Sequence, residues 1–185
     1  AGQKCTAVRR ILVPEPHIDA FQESLIAQLS KTVIGDPSAE GVRMGSLVGC
    51  SQRDDVIAQV SKLSSESDIV FGSTSNSDLS LVGASSEVGT FMSPILLRVK
   101  DPSTAVNVHE IEAFGPVSSL MSYNKVEEAV ALSKKGKGSL CCSITTHDRS
   151  VATEFVRNAA SMHGRILVLD RECAKESTGH GSPLP

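Results

Sequence analysis

Tryptophan is absent from this 185-residue chain, and aromatic residues make up only 3% of it. A surface that stacks on nucleic-acid bases needs aromatic side chains, so we do not expect one here. Basic residues are not in excess either, because 18 lysines and arginines face 21 aspartates and glutamates, and the net charge is −3. Since phosphate binding requires a basic face, we do not expect nucleic acid as a partner.

Long apolar runs are also missing. No run approaches the roughly 18 residues that a membrane-spanning helix needs, and no segment resembles a signal peptide. The composition, 40% hydrophobic and 21% charged, is typical of a soluble globular protein. We therefore expect no membrane partner and one domain of ordinary size.

The cysteines lack the pattern of a disulfide framework or a zinc site. They number five, an odd count, no two are spaced as CxxC, and the five histidines are scattered. We expect reduced cysteines, a cytoplasmic location and no bound metal. The five are Cys5, Cys50, Cys141, Cys142 and Cys173.

Apolar periodicity predicts strands and helices in alternation. The predicted strands are residues 8–14, 68–72, 93–99, 116–123, 139–146 and 165–170. The predicted helices are residues 17–35, ended by Gly35; a helix from near Ser51, capped by Ser51; residues 124–138, capped by Asn124; and residues 148–164, capped by Asp148 and closed by Gly164. Residues 73–90, rich in serine and glycine, predict a surface excursion.

The second half alternates strand, helix, strand, helix, strand with short joints. This order predicts an α/β fold with three αβα layers: a mainly parallel sheet with helices on both faces.

Cys5 has a different setting from the other cysteines, which we interpret as inert fillers or, for Cys173, as part of a polar tail. Polar residues and a glycine surround Cys5, and a predicted buried strand follows it, so a turn there can present the thiol to a cleft. A thiolate is a strong nucleophile but needs a base or a positive field. Two alternatives to the function implied below stay open: a hydrolase or acyl transferase using Cys5 with a histidine, and a non-catalytic interaction domain.

Three segments resemble landmarks of the aldehyde dehydrogenase superfamily, in the superfamily's order. GQKCTAVRR, at 2–10, resembles its catalytic-cysteine segment, glycine–glutamine–x–cysteine before a strand. VIGDP and the following GVRMGSLV resemble its next landmark, with Ser46 in place of the usual proline. EAFGPV, at 112–117, resembles its glutamate–x–Phe–Gly–Pro–Val motif.

This resemblance implies a role for each matched residue. Cys5 would attack an aldehyde, Glu112 would bind the hydroxyls of the nicotinamide ribose, and Phe114 would pack against the nicotinamide of NADP or NAD. It also implies that residues 1–170 form the catalytic domain and 171–185 a polar tail. The dinucleotide-binding domain, the general-base glutamate and the oxyanion asparagine would lie upstream, so the chain by itself would be inactive.

The tail resembles a particular branch of the superfamily. AKESTGHGSPLP, preceded by HGRILVLD, is similar to aldehyde dehydrogenases of phenylacetate degradation that are fused to a hydratase-like domain. This implies a CoA-linked semialdehyde as substrate, an upstream cofactor domain and a downstream hydratase-like domain as partners, and a homo-oligomer at full length. A semialdehyde dehydrogenase of the benzoyl-CoA pathway is the nearest alternative.

Overall fold

A computed structural model describes residues 1–75 and 79–173 of the chain, which divides into two compact units, Ala1–Ser122 and Tyr123–Pro185. The strands are β1 (Arg10–Pro14), β2 (Ile34–Gly35), β3 (Ser67–Phe71), β4 (Leu81–Val82), β5 (Ile95–Val99), β6 (Val117–Tyr123), β7 (Cys142–Thr145) and β8 (Ile166–Leu169). The helices are α1 (Ile18–Leu29), α2 (Cys50–Leu63), α3 (Asn107–Glu110), α4 (Val126–Lys135) and α5 (Arg149–Ala159). Single 3-10 turns at Glu15–His17 and Ala160–Met162 adjoin α1 and α5.

A four-stranded sheet in the order β1–β6–β5–β3 forms the centre of the first unit. Strands β5 and β6 run parallel, with Ile95 opposite Val117, and β3 runs antiparallel to β5. Side chains alternate between the two faces along a strand. In β5, Ile95, Leu97 and Val99 pack on one face, and Leu96 packs on the other.

Helices cover both faces of this sheet. Val56, Val60 and Leu63 of α2 are buried in one core, while Ile18 and Leu25 of α1 pack in the other. Full burial of such a side chain contributes about 1.5–3 kcal/mol, so the apolar spacing of each helix decides which face it buries. The predicted αβα layering is thereby confirmed.

The second unit contains a parallel pair of strands, with Cys142 of β7 opposite Ile166 of β8. Helix α5 connects them and buries Phe155 and Ala159, and Val130 of α4 joins the same core. Parallel neighbours require a crossover of this kind. The predicted strand–helix–strand order is confirmed here.

Two predicted glycine stops are wrong. Helix α1 ends at Leu29, and Gly35 lies instead in β2, where a Cβ atom would come within 2.8 Å of the Val82 backbone nitrogen. Helix α5 ends at Ala159, before Gly164, whose Cβ would lie 2.8 Å from the Leu140 carbonyl oxygen. Both glycines permit the close approach of two backbone segments and do not terminate a helix.

Two predicted caps are also wrong, and one is confirmed. Gly49 is the N-cap of α2, in an extended conformation, so Ser51 lies inside the helix. Lys125 is the N-cap of α4, and the backbone N–H of Asn124 donates to the Glu128 carboxylate at 2.8 Å. Asp148 caps α5 as predicted, accepting from the backbone N–H groups of Ser150 and Val151.

The predicted surface excursion at 73–90 contains a strand that periodicity did not indicate. Leu81 and Val82 form β4, which pairs in parallel with Ile34 and Gly35 of β2. Most of the predicted tail, residues 174–185, lies outside the described residues. Within the described ranges, no helix is long and apolar enough to cross a bilayer.

Candidate active site

Cys5 lies in a tight turn that precedes β1. The backbone N–H of Ala7 donates to the Lys4 carbonyl at 3.0 Å, and the N–H of Lys4 donates to the Gly2 carbonyl at 2.9 Å. These two bonds close the turn around Cys5 and leave its side chain exposed. The thiol is therefore accessible to a small electrophile.

Two residues, Gly2 and Gln3, anchor the chain beside this turn. Gly2 has a left-handed φ of +71°, and a Cβ there would lie within 2.6 Å of the Gly115 carbonyl carbon. Only glycine adopts that conformation without strain and permits that approach. The Gln3 side-chain oxygen accepts from the backbone N–H of Val48 at 2.8 Å, and the Gln3 amide contacts Gln52 at 3.4 Å.

Two further bonds anchor the chain just after the turn. The Val8 carbonyl accepts from the Ser118 hydroxyl at 2.6 Å, and the Arg9 carbonyl accepts from the Ser119 backbone N–H at 2.8 Å. Both donors belong to β6, the strand that directly follows the 112–117 motif. The Cys5 turn is thus held on both sides by the segment carrying Glu112.

The segment from Glu112 to Val117 is compact and turns twice. The N–H of Gly115 donates to the Ala113 carbonyl at 2.7 Å, and the N–H of Val117 donates to the Gly115 carbonyl at 2.8 Å. These turns bury Ala113 and leave Glu112 exposed, with Phe114 36% exposed. A Cβ on Gly115 would lie 2.7 Å from a Val56 methyl group, so this position also requires glycine.

A small cleft lies between the cysteine turn and this segment. Residues from both sides line it: Gly2, Ala7, Val8 and Arg9, and Glu112, Ala113, Phe114, Gly115 and Val117. Glu112 and Phe114, the two residues predicted for cofactor binding, therefore share one cleft. Cys5 is not among the lining residues but occupies the turn between two of them, Gly2 and Ala7.

The Cys5 thiol has no hydrogen-bond partner in residues 1–75 and 79–173. No described histidine pairs with it: the His109 ring contacts Arg10, and the His163 ring contacts Ser139 within the second unit. The geometry therefore does not favour a cysteine–histidine hydrolase built from these histidines. His180 lies outside the described residues.

The other cysteines are less buried than expected. Cys50 and Cys173 are exposed, and Cys141 and Cys142 are partly buried. Cys50 is the first residue of α2, and its sulfur lies 3.5 Å from the Thr90 hydroxyl. The interpretation as a filler is wrong for Cys50, which is exposed at the start of α2, whereas Cys142 packs against the core of the second unit and the exposed Cys173 agrees with a polar tail. No group of three or more metal-ligating side chains occurs among the described residues.

Sequence reasoning missed the residues that support the site. The Gln3 side chain bonds to Val48, and the ring and carbonyl of His109 bond to Arg10 and Arg9. Arg10 is the first residue of β1, and Arg9 directly precedes it. No local pattern indicates these contacts, because each joins segments far apart in the chain.

Comparison with known proteins gives a consistent result. The model of the aldehyde dehydrogenase family matches residues 1–177. A 3,4-dehydroadipyl-CoA semialdehyde dehydrogenase from Aromatoleum evansii is 37% identical over 184 residues, covering 100% of this chain and 35% of that protein. Protein MaoC from Klebsiella aerogenes is 43% identical over 143 residues, covering 77% of this chain and 40% of that protein. The chain thus spans about a third of the length of these relatives.

Solved structures share the fold. A betaine aldehyde dehydrogenase from Staphylococcus aureus, crystallised with NAD⁺, superposes with a TM-score of 0.78 at 23% identity and covers 92% of this chain and 33% of its own. A gamma-glutamyl-gamma-aminobutyraldehyde dehydrogenase from Burkholderia cenocepacia has a TM-score of 0.76 at 29% identity and covers 90% of this chain and 31% of its own.

Proposed function

Because this chain belongs to the aldehyde dehydrogenase family, we propose that it is the catalytic part of a longer NAD(P)-dependent enzyme that oxidises an aldehyde to an acid. Cys5 is its nucleophile. The observation that carries this proposal is the contact of Gly2 with Gly115, which holds the cysteine turn beside the segment bearing Glu112 and Phe114.

The chemistry of Cys5 follows from its exposure. Its sulfur attacks the aldehyde carbon, a C–S bond forms, and the former carbonyl oxygen takes a proton to give a thiohemiacetal. A nicotinamide nucleotide would supply the hydride acceptor for that carbon; loss of the hydride and of the hydroxyl proton, the latter to a base, would leave an acyl thioester on Cys5. Water then cleaves the thioester, releasing the acid and restoring the thiol.

The cleft suits a nicotinamide nucleotide. Glu112 offers an exposed carboxylate that can accept two hydrogen bonds from ribose hydroxyls. Phe114 offers a partly exposed ring for a flat heterocycle. Glu112 and Phe114 therefore bind the nucleotide end nearest to Cys5, while an upstream domain binds most of NADP or NAD.

The base that removes protons during the reaction lies outside this chain. The Cys5 thiol has no hydrogen-bonded partner among the described residues, which supports a base supplied by another part of the full-length enzyme. In this proposal an upstream domain supplies a glutamate as base and an asparagine amide for the oxyanion. Loss of a general base costs about 10²–10⁴ in rate, so the chain by itself should have no measurable dehydrogenase activity.

The substrate in this proposal is a CoA-linked semialdehyde from aromatic-acid degradation. The similarity to a 3,4-dehydroadipyl-CoA semialdehyde dehydrogenase along the whole chain supports a substrate of that class. The resemblance of HGRILVLD and AKESTGHGSPLP favours a hydratase-fused enzyme of phenylacetate degradation, with a benzoyl-CoA-pathway enzyme as the alternative. Residues 1–170 form the catalytic domain, 171–185 lead towards a downstream hydratase-like domain, and the full-length enzyme is a cytoplasmic homo-oligomer.

The test uses the full-length enzyme with wild-type, Cys5→Ala and Cys50→Ala variants. Cys50 is the matched control because it is also exposed and lies in the same unit. We expect NADPH or NADH formation from a C6 semialdehyde-CoA thioester in wild type and Cys50→Ala, and none in Cys5→Ala. Equal activity in all three would show that Cys5 is not the nucleophile. A medium-chain aldehyde assayed in parallel separates a wrong substrate from a wrong enzyme class.

A further inference from the structure

His109 is a buried titratable residue that the proposed reaction does not use. It lies on α3, shortly before Glu112 in sequence, and is only 2% exposed. Buried polar side chains in native proteins nearly always have hydrogen-bond partners. The partners of His109 therefore indicate its role.

The imidazole of His109 is held by Arg10. A guanidinium nitrogen of Arg10 lies 2.9 Å from Nδ1 of His109. A guanidinium group only donates hydrogen bonds, so Nδ1 must accept, and the proton of the neutral ring is then on Nε2. Arg10 is the first residue of β1, the strand that directly follows the Cys5 turn.

The backbone of His109 is held by the neighbouring arginine. A guanidinium nitrogen of Arg9 lies 3.4 Å from the His109 carbonyl oxygen. The ring and the carbonyl of one residue are therefore both bonded to the stretch of chain that leaves the Cys5 turn. Arg9 also lines the cleft with Glu112.

The other end of α3 is held by Glu66. Its carboxylate accepts from the backbone N–H groups of Val106 at 3.0 Å and Val108 at 3.3 Å. Burial would raise the pKa of Glu66, but these donors and that of Asn107 outweigh burial and hold the pKa below its usual value. Glu66 thus stays ionised and fixes the start of α3, while the arginines fix its end.

We propose that His109 is a positioning residue: by accepting from Arg10, it sets the placement of Glu112 relative to Cys5. Without an acceptor at this point, the half-buried Arg10 loses a partner, and α3 loses one of the bonds that join it to the chain leaving the Cys5 turn, while the Arg9 and Glu66 bonds remain. A displacement of about 1 Å between a reacting group and the residues that orient its partner can cost about 10²-fold in rate. This inference rests on the proposed function in one respect: its effect on turnover requires that Glu112 binds the nucleotide.

The first test needs no nucleotide. Amide hydrogen exchange is measured on the chain at Gly115 and Val117, whose N–H groups close the two turns. His109→Phe keeps a ring of similar size but removes the acceptor, and His109→Asn keeps an acceptor at nearly the position of Nδ1. We expect exchange about tenfold faster in His109→Phe and near wild type in His109→Asn. Equal exchange in both variants overturns the proposal.

The second test uses steady-state kinetics of the full-length enzyme. We expect kcat to fall about 10- to 100-fold in His109→Phe, with a smaller change in the nucleotide KM, and to recover in His109→Asn. His17→Asn is the matched control, because His17 is exposed on a 3-10 turn. An enzyme that turns over but has equal kcat in the Phe and Asn variants overturns the proposal.

The two tests separate this inference from the proposed function. A wild-type enzyme without cysteine-dependent turnover refutes the function, and the exchange measurement alone then decides whether His109 positions the segment. ¹⁵N chemical shifts of the His109 ring supply a direct check. In wild type we expect shifts that place the proton on Nε2, and in Arg10→Met we expect these shifts to change. Shifts that place the proton on Nδ1 in wild type contradict the proposal.

Discussion

Gly2 and Gly115 meet backbone to backbone, so closely that a methyl group on Gly2 would overlap the Gly115 carbonyl. This contact joins the turn that presents Cys5 to the segment that presents Glu112. It also explains why glycine stands at position 2, whereas at position 115 a Cβ atom would meet Val56.

Gly2→Ala should destabilise the full-length enzyme more than Gly41→Ala. Both glycines have left-handed φ values, +71° and +81°, so each alanine costs about 1–2 kcal/mol in backbone strain. Only Gly2 has a backbone neighbour within 4 Å that must also move. Urea unfolding measures the difference, and kcat should fall only in Gly2→Ala. Equal losses of stability would mean that the contact with Gly115 has no energetic weight.

Gly115→Ala should be destabilising, and Val56→Ala should relieve part of the effect. The new methyl group would lie 2.7 Å from a methyl group of Val56, a side chain with little rotational freedom. In a double-mutant cycle we expect a favourable coupling of about 0.5–3 kcal/mol. The free energy of unfolding of wild type, the two single variants and the double variant is measured by thermal or urea unfolding. If the two single losses add up to that of the double variant, the strain does not arise between position 115 and Val56.

Glu112→Gln should weaken nucleotide binding without changing the reactivity of Cys5. A hydrogen bond to a charged group is worth about 1.5–3 kcal/mol, so the nucleotide KM should rise about 10- to 100-fold. The rate of Cys5 alkylation by iodoacetamide, without nucleotide, should stay at the wild-type value. Glu110→Gln, at an exposed neighbouring position, is the control. A nucleotide KM that rises equally in both variants would argue against a specific role for Glu112.

Asp148→Ala should destabilise the second unit at neutral pH but not in acid. The Ser150 hydroxyl, followed by the backbone N–H groups of Ser150 and Val151, lowers the pKa of Asp148 below the usual 3.8. Because the folded-state pKa is the lower one, the stabilisation is complete above about pH 3.8 and is lost as the pH falls through the folded value. The gap in thermal midpoint between wild type and Asp148→Ala should therefore narrow at low pH.

Asp148→Asn is the matched control for this prediction. The amide oxygen still accepts from the backbone N–H groups at the start of α5, and it carries no charge to titrate. Its thermal midpoint should exceed that of Asp148→Ala at neutral pH, and the gap between these two variants should not depend on pH in the acid range. A wild-type advantage over Asp148→Ala that persists undiminished in acid would mean that the carboxylate charge is irrelevant to the cap.

Local pattern predicted most of the elements correctly. Val56, Val60 and Leu63 are spaced three or four residues apart, which places them on one face of α2, and the side chain of Asp148 predicts the start of α5. The buried face of α2 and the start of α5 both depend on residues close in sequence, so the sequence alone is enough to predict them. The predictions for Gly35 and Gly164 were wrong for the opposite reason. Each glycine is needed where the backbone comes close to a segment remote in sequence.

The sequence alone was sufficient to predict the αβα layering. It was also sufficient to show the resemblance of the Cys5 and Glu112 segments to one family, because periodicity and motifs involve residues close in sequence. The cleft itself depended on the fold. Gly2 meets Gly115, Ser118 bonds to Val8, and Arg10 bonds to His109 only after β1 and β6 lie side by side in the sheet. Such contacts join residues remote in sequence, and their geometry exists only once the core beneath them has packed.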